Sequence, residues 1–196
     1  MVENFSLDYE RKLPEISSLL KLSIYHEDNE NLSGFVTGAP RLVGGLTYVL
    51  KMAQNIGSSQ GGGGEIGLSG ASEDFRWDGS YSFQTIHDSP LVAQKLGYDG
   101  SAPQHQIRLN LGYTLDNWEA DLHGQFATGT DMLRLTTVLQ PVQAGAFYSL
   151  GARLGYAIAI GTTLSLSGTN LTRGVTNESA YPAVERQFTL NLAQRF

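Results

Sequence analysis

The last ten residues of the chain alternate between apolar and polar side chains. Phe188, Leu190, Leu192 and Phe196 share one parity, interrupted only by Gln194. Gln187, Thr189, Asn191 and Arg195 stand on the other, with Ala193 among them. A period of two sends successive side chains to opposite faces of a strand. The segment therefore reads as a strand of a sheet with one apolar and one polar face. Two environments fit such a sheet: the half-buried face of a soluble protein, or a membrane wall with lipid on one side and water on the other.

The pattern recurs along the chain. Phe5, Leu7 and Tyr9 oppose Ser6, Asp8 and Glu10, and Leu20, Leu22 and Ile24 oppose Lys21, Ser23 and Tyr25. Phe75, Trp77, Tyr81 and Phe83 alternate with Arg76, Asp78, Ser80, Ser82 and Gln84. Ile107, Leu109, Leu111 and Tyr113 then oppose Gln106, Arg108, Asn110 and Thr114, and Trp118, Ala120, Leu122 and Phe126 oppose Glu119, Asp121, His123 and Gln125. Tyr148 to Tyr156 and Leu164 to Ser167 continue the alternation. The stretch from Leu46 to Ser72 reads as one long strand softened by Gly61-Gly62-Gly63-Gly64; a hairpin turn in that run, or a flexible linker, is the alternative. A phosphate-binding loop would need a following Lys-Ser/Thr and a helix, and neither is present. The chain thus carries about nine strands and no convincing helix.

The connections alternate in length. They are short near Pro14, Glu73, Asp116 and Gly161, and long near Gly38 (a loop from about Ser33 to Gly45), Pro90 (Asp88 to Gln104), Asp131 (Gly129 to Val142) and Asn177 (Arg173 to Val184). Membrane barrels have short turns at one rim and longer loops at the other. Tyr9, Phe75, Trp77, Tyr113, Trp118, Tyr156 and Phe196 lie on the apolar parity within a few residues of a short turn. Aromatic rings with a polar tip favour the membrane–water interface, so this sorting predicts a girdle there.

Composition is consistent with that reading. Charged residues make up 16% of the chain, against roughly 25% in an ordinary soluble domain. A net charge of −6 gives no basic surface for a nucleic-acid partner. The absence of cysteine excludes disulfides and thiolate metal sites. No run of about 18 apolar residues is long enough for a membrane helix, which says nothing against strands. Met1-Val2-Glu3-Asn4-Phe5 lacks the basic and apolar regions of a signal peptide, so a membrane-bound product is expected to take its signal from upstream.

The final third resembles the C-terminal end of TonB-dependent outer-membrane receptors. The resemblance rests on Leu166-Ser167-Gly168-Thr169-Asn170-Leu171, Tyr181-Pro182, Glu185-Arg186-Gln187-Phe188 and Arg195-Phe196. Upstream, Asn55-Ile56-Gly57 leading to Gly64-Glu65 resembles that family's Asn-x-Gly and Gly-x-Glu, and Leu20 to Leu32 resembles the strand before it. The chain departs from the family in Thr172-Arg173-Gly174-Val175, where Phe-Asp and a Tyr are usual, and in its four-glycine run. The resemblance implies an all-β, antiparallel transmembrane barrel of the 22-stranded type, of which about nine strands are present. It implies a place in the outer membrane, lipid and the barrel-assembly machinery as partners, and uptake of a small molecule or metal chelate. The TonB system would act only through a plug domain that this chain lacks. Bacterial single-chain barrels have even strand numbers, so nine strands are expected to be the C-terminal segment of a larger barrel. A small porin-like or adhesin-like barrel is the second reading, and a soluble β-rich binding module the third.

No catalytic constellation is present and no cofactor is expected, so the chain is read as a non-enzyme. His26, His87, His105 and His123 are scattered. Glu119, Asp121 and His123 lie on the polar face of one strand, a possible solute or ion contact or simply a wetted wall. Arg153 and Arg108 point to the same side, toward that acidic row or a plug. His87, Asp88 and Asp131 fall at the long loops and are weaker ligand candidates. Phe188, Leu190, Leu192 and Phe196 resemble the signal read by the assembly machinery in the family's relatives; lipid contact alone would account for the same pattern.

Overall fold

β-branched and aromatic residues at alternate positions favour extended backbone, and the computed structural model is built almost wholly of strands. It describes residues 1–92, 96–135, 139–176 and 183–195, with the backbone alone for 132–135 and 139–141. The strands in order are β1 (Val2–Leu13), β2 (Ser18–Thr37), β3 (Arg41–Val43), β4 (Leu46–Tyr48), β5 (Lys51–Ala71), β6 (Phe75–Pro90), β7 (His105–Leu115), β8 (Trp118–Ala127), β9 (Thr130–Leu135), β10 (Leu139–Ala144), β11 (Phe147–Ala159), β12 (Thr162–Thr169), β13 (Val175–Thr176), β14 (Val184–Glu185) and β15 (Gln187–Gln194). Among the described residues nine of these form one antiparallel sheet in the order β1-β2-β5-β6-β7-β8-β11-β12-β15. The remaining six pair as small hairpins, β3 with β4, β9 with β10 and β13 with β14.

The nine-strand expectation and the reading of the glycine run as part of one strand are both met. β5 passes through Gly61–Gly64 without turning, pairing with β2 on one side (Glu27↔Gly61, Tyr25↔Gly63) and with β6 on the other (Gly61↔Ile86, Gly63↔Gln84). Three boundaries differ from expectation. β5 starts at Lys51 rather than Leu46, because Leu46–Tyr48 folds back on Arg41–Val43 across Gly44 and Gly45, both at positive φ. β2 continues through the stretch expected to be loop and reaches Thr37, where Phe35 and Val36 pair with Ala53 and Met52. The connection around Asp131 is a hairpin rather than an irregular loop. In the first and third cases a long connection makes its own hydrogen bonds by forming a local hairpin, and in the second the strand pair β2–β5 simply extends; either way the backbone groups are satisfied.

The short turns need particular backbone conformations. Ser17 (φ 49°) closes the 3-10 turn Pro14–Ile16, and Asp116 (φ 50°) joins β7 to β8. At Ile160-Gly161 the glycine has φ 73°, and a Cβ there would lie 2.8 Å from the carbonyl oxygen of Arg195. Only glycine meets both constraints without strain.

The sheet is one layer thick, and this decides where the apolar residues can go. The only buried apolar residues described are Ala127, Ala144 and Phe147, all near the long-connection end. The apolar parity of the strands lies open: Phe188 is 66% exposed, Leu190 70%, Leu192 63% and Phe5 63%. A soluble sandwich would cover this face with a second sheet. Here an apolar solvent is required instead. The expected girdle is present at the short-turn end. Phe75 stacks on Trp77 at 5.5 Å, Trp118 packs on Tyr156 at 4.6 Å, and Trp77 Nε1 donates to Ser18 Oγ at 3.1 Å. Phe196 lies outside the described residues, as do Asn177, Tyr181 and Pro182.

Candidate functional site

Strand register sets which polar side chains meet. Arg76 on β6 faces Gly112 on β7, Gly112 faces Asp121 on β8, and Asp121 faces Arg153 on β11. These four positions form one level across the polar face. Arg76 Nη2 donates to Asp121 Oδ1 at 3.0 Å, and Arg153 Nη1 donates to Asp121 Oδ2 at 3.0 Å and to Glu119 Oε2 at 2.9 Å. Arg76 Nη1 also reaches Thr114 Oγ1 at 3.3 Å. Two guanidinium groups and two carboxylates thus balance within the wall.

Two glycines make the arrangement possible. A Cβ on Gly112 would stand 2.8 Å from Nε and Nη2 of Arg76, so the bare backbone of β7 is the floor over which Arg76 crosses to β8. A Cβ on Gly155 would stand 3.1 Å from Arg153 Nη2, and Gly155 is the register partner of Glu119. Arg153 leans over Gly155 to reach that carboxylate.

The sequence-predicted row therefore divides. Glu119 and Asp121 join Arg153, as one of the expectations for Arg153 had it. His123 takes a separate partner: its Nδ1 donates to Asn110 Oδ1 at 2.9 Å, and Asn110 Nδ2 donates to Asp78 Oδ1 at 3.1 Å. Arg108 makes no ion pair among the described residues and donates only to Gln106 Oε1, at 3.4 Å. Arg76 was missed as a site residue because the sequence does not say which strand lies two places away; its polar parity and its nearness to a short turn were the available signals.

The candidates at the long connections are tethers. Asp88 Oδ2 accepts the backbone N–H groups of Tyr98 and Asp99, both at 3.0 Å, and Asp131 N donates to Gly100 O at 2.7 Å. His105 Nδ1 lies 2.8 Å from the Tyr81 hydroxyl, and His26 Nε2 lies 3.0 Å from Asp28 Oδ2, both on the apolar parity near the long-connection rim. His87 is on the same parity of β6. The histidines are thus dispersed, and among the described residues no group of three His, Asp or Glu side chains could hold a metal ion.

The resembling motif at the chain end has a local role. Asn170 (φ 54°) is 1% exposed. Its Nδ2 donates to Val184 O at 2.8 Å, and its Oδ1 accepts from Ser149 Oγ at 3.1 Å. Arg186 Nε and Nη2 donate to Asn170 O and Leu171 O at 3.2 and 3.1 Å. Asn170, Leu171 and Arg186 pin the last long connection onto β11 and set where β15 begins. Phe188, Leu190 and Leu192 then project from the apolar face.

Three further observations bear on kinship. None of the curated protein sequences compared with this chain matches it. Several solved structures share its fold. The FrpB iron transporter of Neisseria meningitidis (F3-3 variant) aligns at a TM-score of 0.72 with 14% identity, covering 100% of this chain and 31% of that one. The pyoverdine outer membrane receptor FpvA of Pseudomonas aeruginosa PAO1 aligns at 0.73 with 13% identity, over 100% and 30%. The ferric-catecholate import receptor Fiu of E. coli K12 aligns at 0.71 with 17% identity, over 100% and 27%. The chain therefore spans about a third or less of these proteins' length. The family model for the TonB dependent receptor-like β-barrel matches residues 3–171. With an alternating sheet one layer thick, an apolar outer face, an ion-paired inner face and a family match over most of its length, the chain belongs to the TonB-dependent receptor β-barrel family.

Proposed function

We propose that this chain forms the last nine strands of the barrel wall of an outer-membrane receptor that takes up a chelated metal or another large organic solute. The observation that carries the reading is the open nine-stranded sheet, which aligns over its whole length with about 30% of several such receptors. In an antiparallel sheet with an odd number of strands, β1 and β15 run the same way. Joining them to each other would make a parallel seam, whereas the rest of the wall is antiparallel. Strands supplied from elsewhere in a larger barrel satisfy both edges, and an unpaired edge in lipid costs several kcal/mol per group. The polar face then lines the lumen and the apolar face meets lipid. The short turns face the periplasm and the long connections the outside. Phe188, Leu190 and Leu192, with Phe196, serve as the segment recognised during barrel assembly. Energy for uptake comes through a plug domain carried by the larger receptor.

The test is the native product in the outer-membrane fraction, detected through its C-terminal segment. A species several-fold heavier than 21.3 kDa, together with loss of energised uptake of labelled ferric chelates when its gene is deleted, is the expected result. A membrane-resident species at 21.3 kDa would overturn it.

A further inference from the structure

The glycine run and the lumen surface around it carry a second site, on the same wall but nearer the long connections than the ion-paired cluster. Tyr25 on β2 reaches across β5 to Gln84 on β6, its hydroxyl donating to Gln84 Oε1 at 3.1 Å. It crosses at Gly63, where a Cβ would lie 3.0 Å from the Tyr25 oxygen and would collide with the Phe83 carbonyl. Gln84 is held in turn, because its Nε2 donates to Pro103 O at 3.1 Å. The phenol is thus fixed across a floor that glycine alone provides. One register step toward the long connections, Gly61 lies between Glu27 and Ile86. A cavity of about 380 Å³ opens there, lined by Tyr25, Glu27, Gly61, Gln84, Ile86 and Tyr98 among others. That volume is within the range of small-molecule sites.

The lining chemistry is selective. The cavity carries one carboxylate, Glu27, and neither lysine nor arginine lines it. Glu27 Oε1 accepts from Asn29 Nδ2 at 2.6 Å, which orients the group, and no bond to its second oxygen occurs among the described residues. Lys21, Arg76, Arg108 and Arg153, on the polar parity, lie on the short-turn side of this level. Aromatic faces attract cations, and an unopposed carboxylate raises the energy of a nearby anion.

We infer that this cavity seats a cationic or uncharged, partly planar group of the incoming organic solute and disfavours an anionic one. The inference rests on the lumen assignment made under the proposed function and narrows its solute class. Gly61 and Gly63, the two glycines of the run on the polar parity, are what keep the floor open, where the family resemblance leads one to expect a single glycine.

The chain has no cysteine, and with any cysteine elsewhere in the native product replaced by serine a single introduced thiol reports the site. A Cβ at position 61 would lie 3.8 Å from Thr85 O and 4.0 Å from Ile86 Cγ1, ordinary contact distances, so Gly61→Cys places a thiol in the cavity without displacing the wall. The chain is expressed in its native gene context, and its outer membranes are treated with an uncharged methanethiosulfonate. Phenyltrimethylammonium and benzenesulfonate serve as competing planar probes of opposite charge. The expected result is modification about five-fold slower in the cation, less than about two-fold slower in the sulfonate, and loss of the difference in Gly61→Cys/Glu27→Gln. Equal protection by both probes, or better protection by the sulfonate, would overturn the inference while leaving the receptor reading intact. Gly62→Cys, on the opposite parity, is the control for that reading: if it reacts with a water-borne reagent and Gly61→Cys does not, the lumen assignment fails and this inference with it. Where Gly61→Cys does not assemble, Ile86→Cys lines the same cavity and gives the same readout.

Discussion

Asp121 should contribute more to the wall than Glu119, although both pair with Arg153. Asp121 accepts from two guanidinium groups on different strands, and its side chain is 19% exposed. Glu119 accepts from one and is 44% exposed. Exposed ion pairs contribute roughly 0.2–1 kcal/mol, while removing one partner of a buried pair costs about 3–5 kcal/mol. Asp121 falls between these limits, because Arg153 is one-third exposed and Arg76 about half. Asp121→Asn is therefore expected to cost about 2 kcal/mol, since it leaves Arg76 without a carboxylate and Arg153 with one. Glu119→Gln should cost about 0.5 kcal/mol, because Arg153 keeps Asp121. A double-mutant cycle between Asp121→Asn and Arg153→Gln should return a coupling of about 1 kcal/mol. The assay is urea unfolding of the native, full-length product in detergent micelles, in which the fluorescence of Trp77 and Trp118, the two tryptophans of this chain, reports on the wall. Equal losses for Asp121→Asn and Glu119→Gln, or a coupling indistinguishable from zero, would show that register partnership does not translate into energetic partnership here.

Other substitutions probe separate features of the wall. Leu190→Arg on the apolar face should destabilise the sheet in lipid by about 2–4 kcal/mol, whereas Asn191→Arg, one residue on and facing the lumen, should change it by less than about 1 kcal/mol; unfolding in vesicles separates the two faces. Gly161→Ala forces a Cβ to within 2.8 Å of Arg195 O at positive φ, and a loss of more than about 1 kcal/mol in the same titration is expected. Asn170→Ala removes the bonds to Val184 and Ser149 from a buried site; it should cost about 1–3 kcal/mol and increase protease cleavage in the connection before β15, with unchanged cleavage counting against its role as the pin. Gly112→Leu should evict Arg76 from Asp121, so that adding Asp121→Asn to it costs markedly less than Asp121→Asn alone.

Much of this architecture was legible in the chain because a sheet one layer thick imposes a period of two on every strand. The parity of Phe188, Leu190 and Leu192, the aromatics beside Pro14, Glu73, Asp116 and Gly161, and the alternation of short and long connections are all local properties. They follow from backbone geometry and from an apolar surrounding on one side, so the sequence alone determined the nine strands of the main sheet, its two faces and its two ends. The hairpins inside the long connections were not legible. Arg41–Val43 with Leu46–Tyr48 is too short to give a period, and its apolar residues read equally well as the start of β5. The sites depended on register, which brings together bonded side chains that lie 32 to 59 residues apart in the chain. Only the tertiary structure could put Arg76, Gly112, Asp121 and Arg153 on one level, or lay Tyr25 over Gly63 toward Gln84. The glycines at 63, 112 and 155 act through what they leave out, and an absent side chain acquires a role only when the group crossing that space is known.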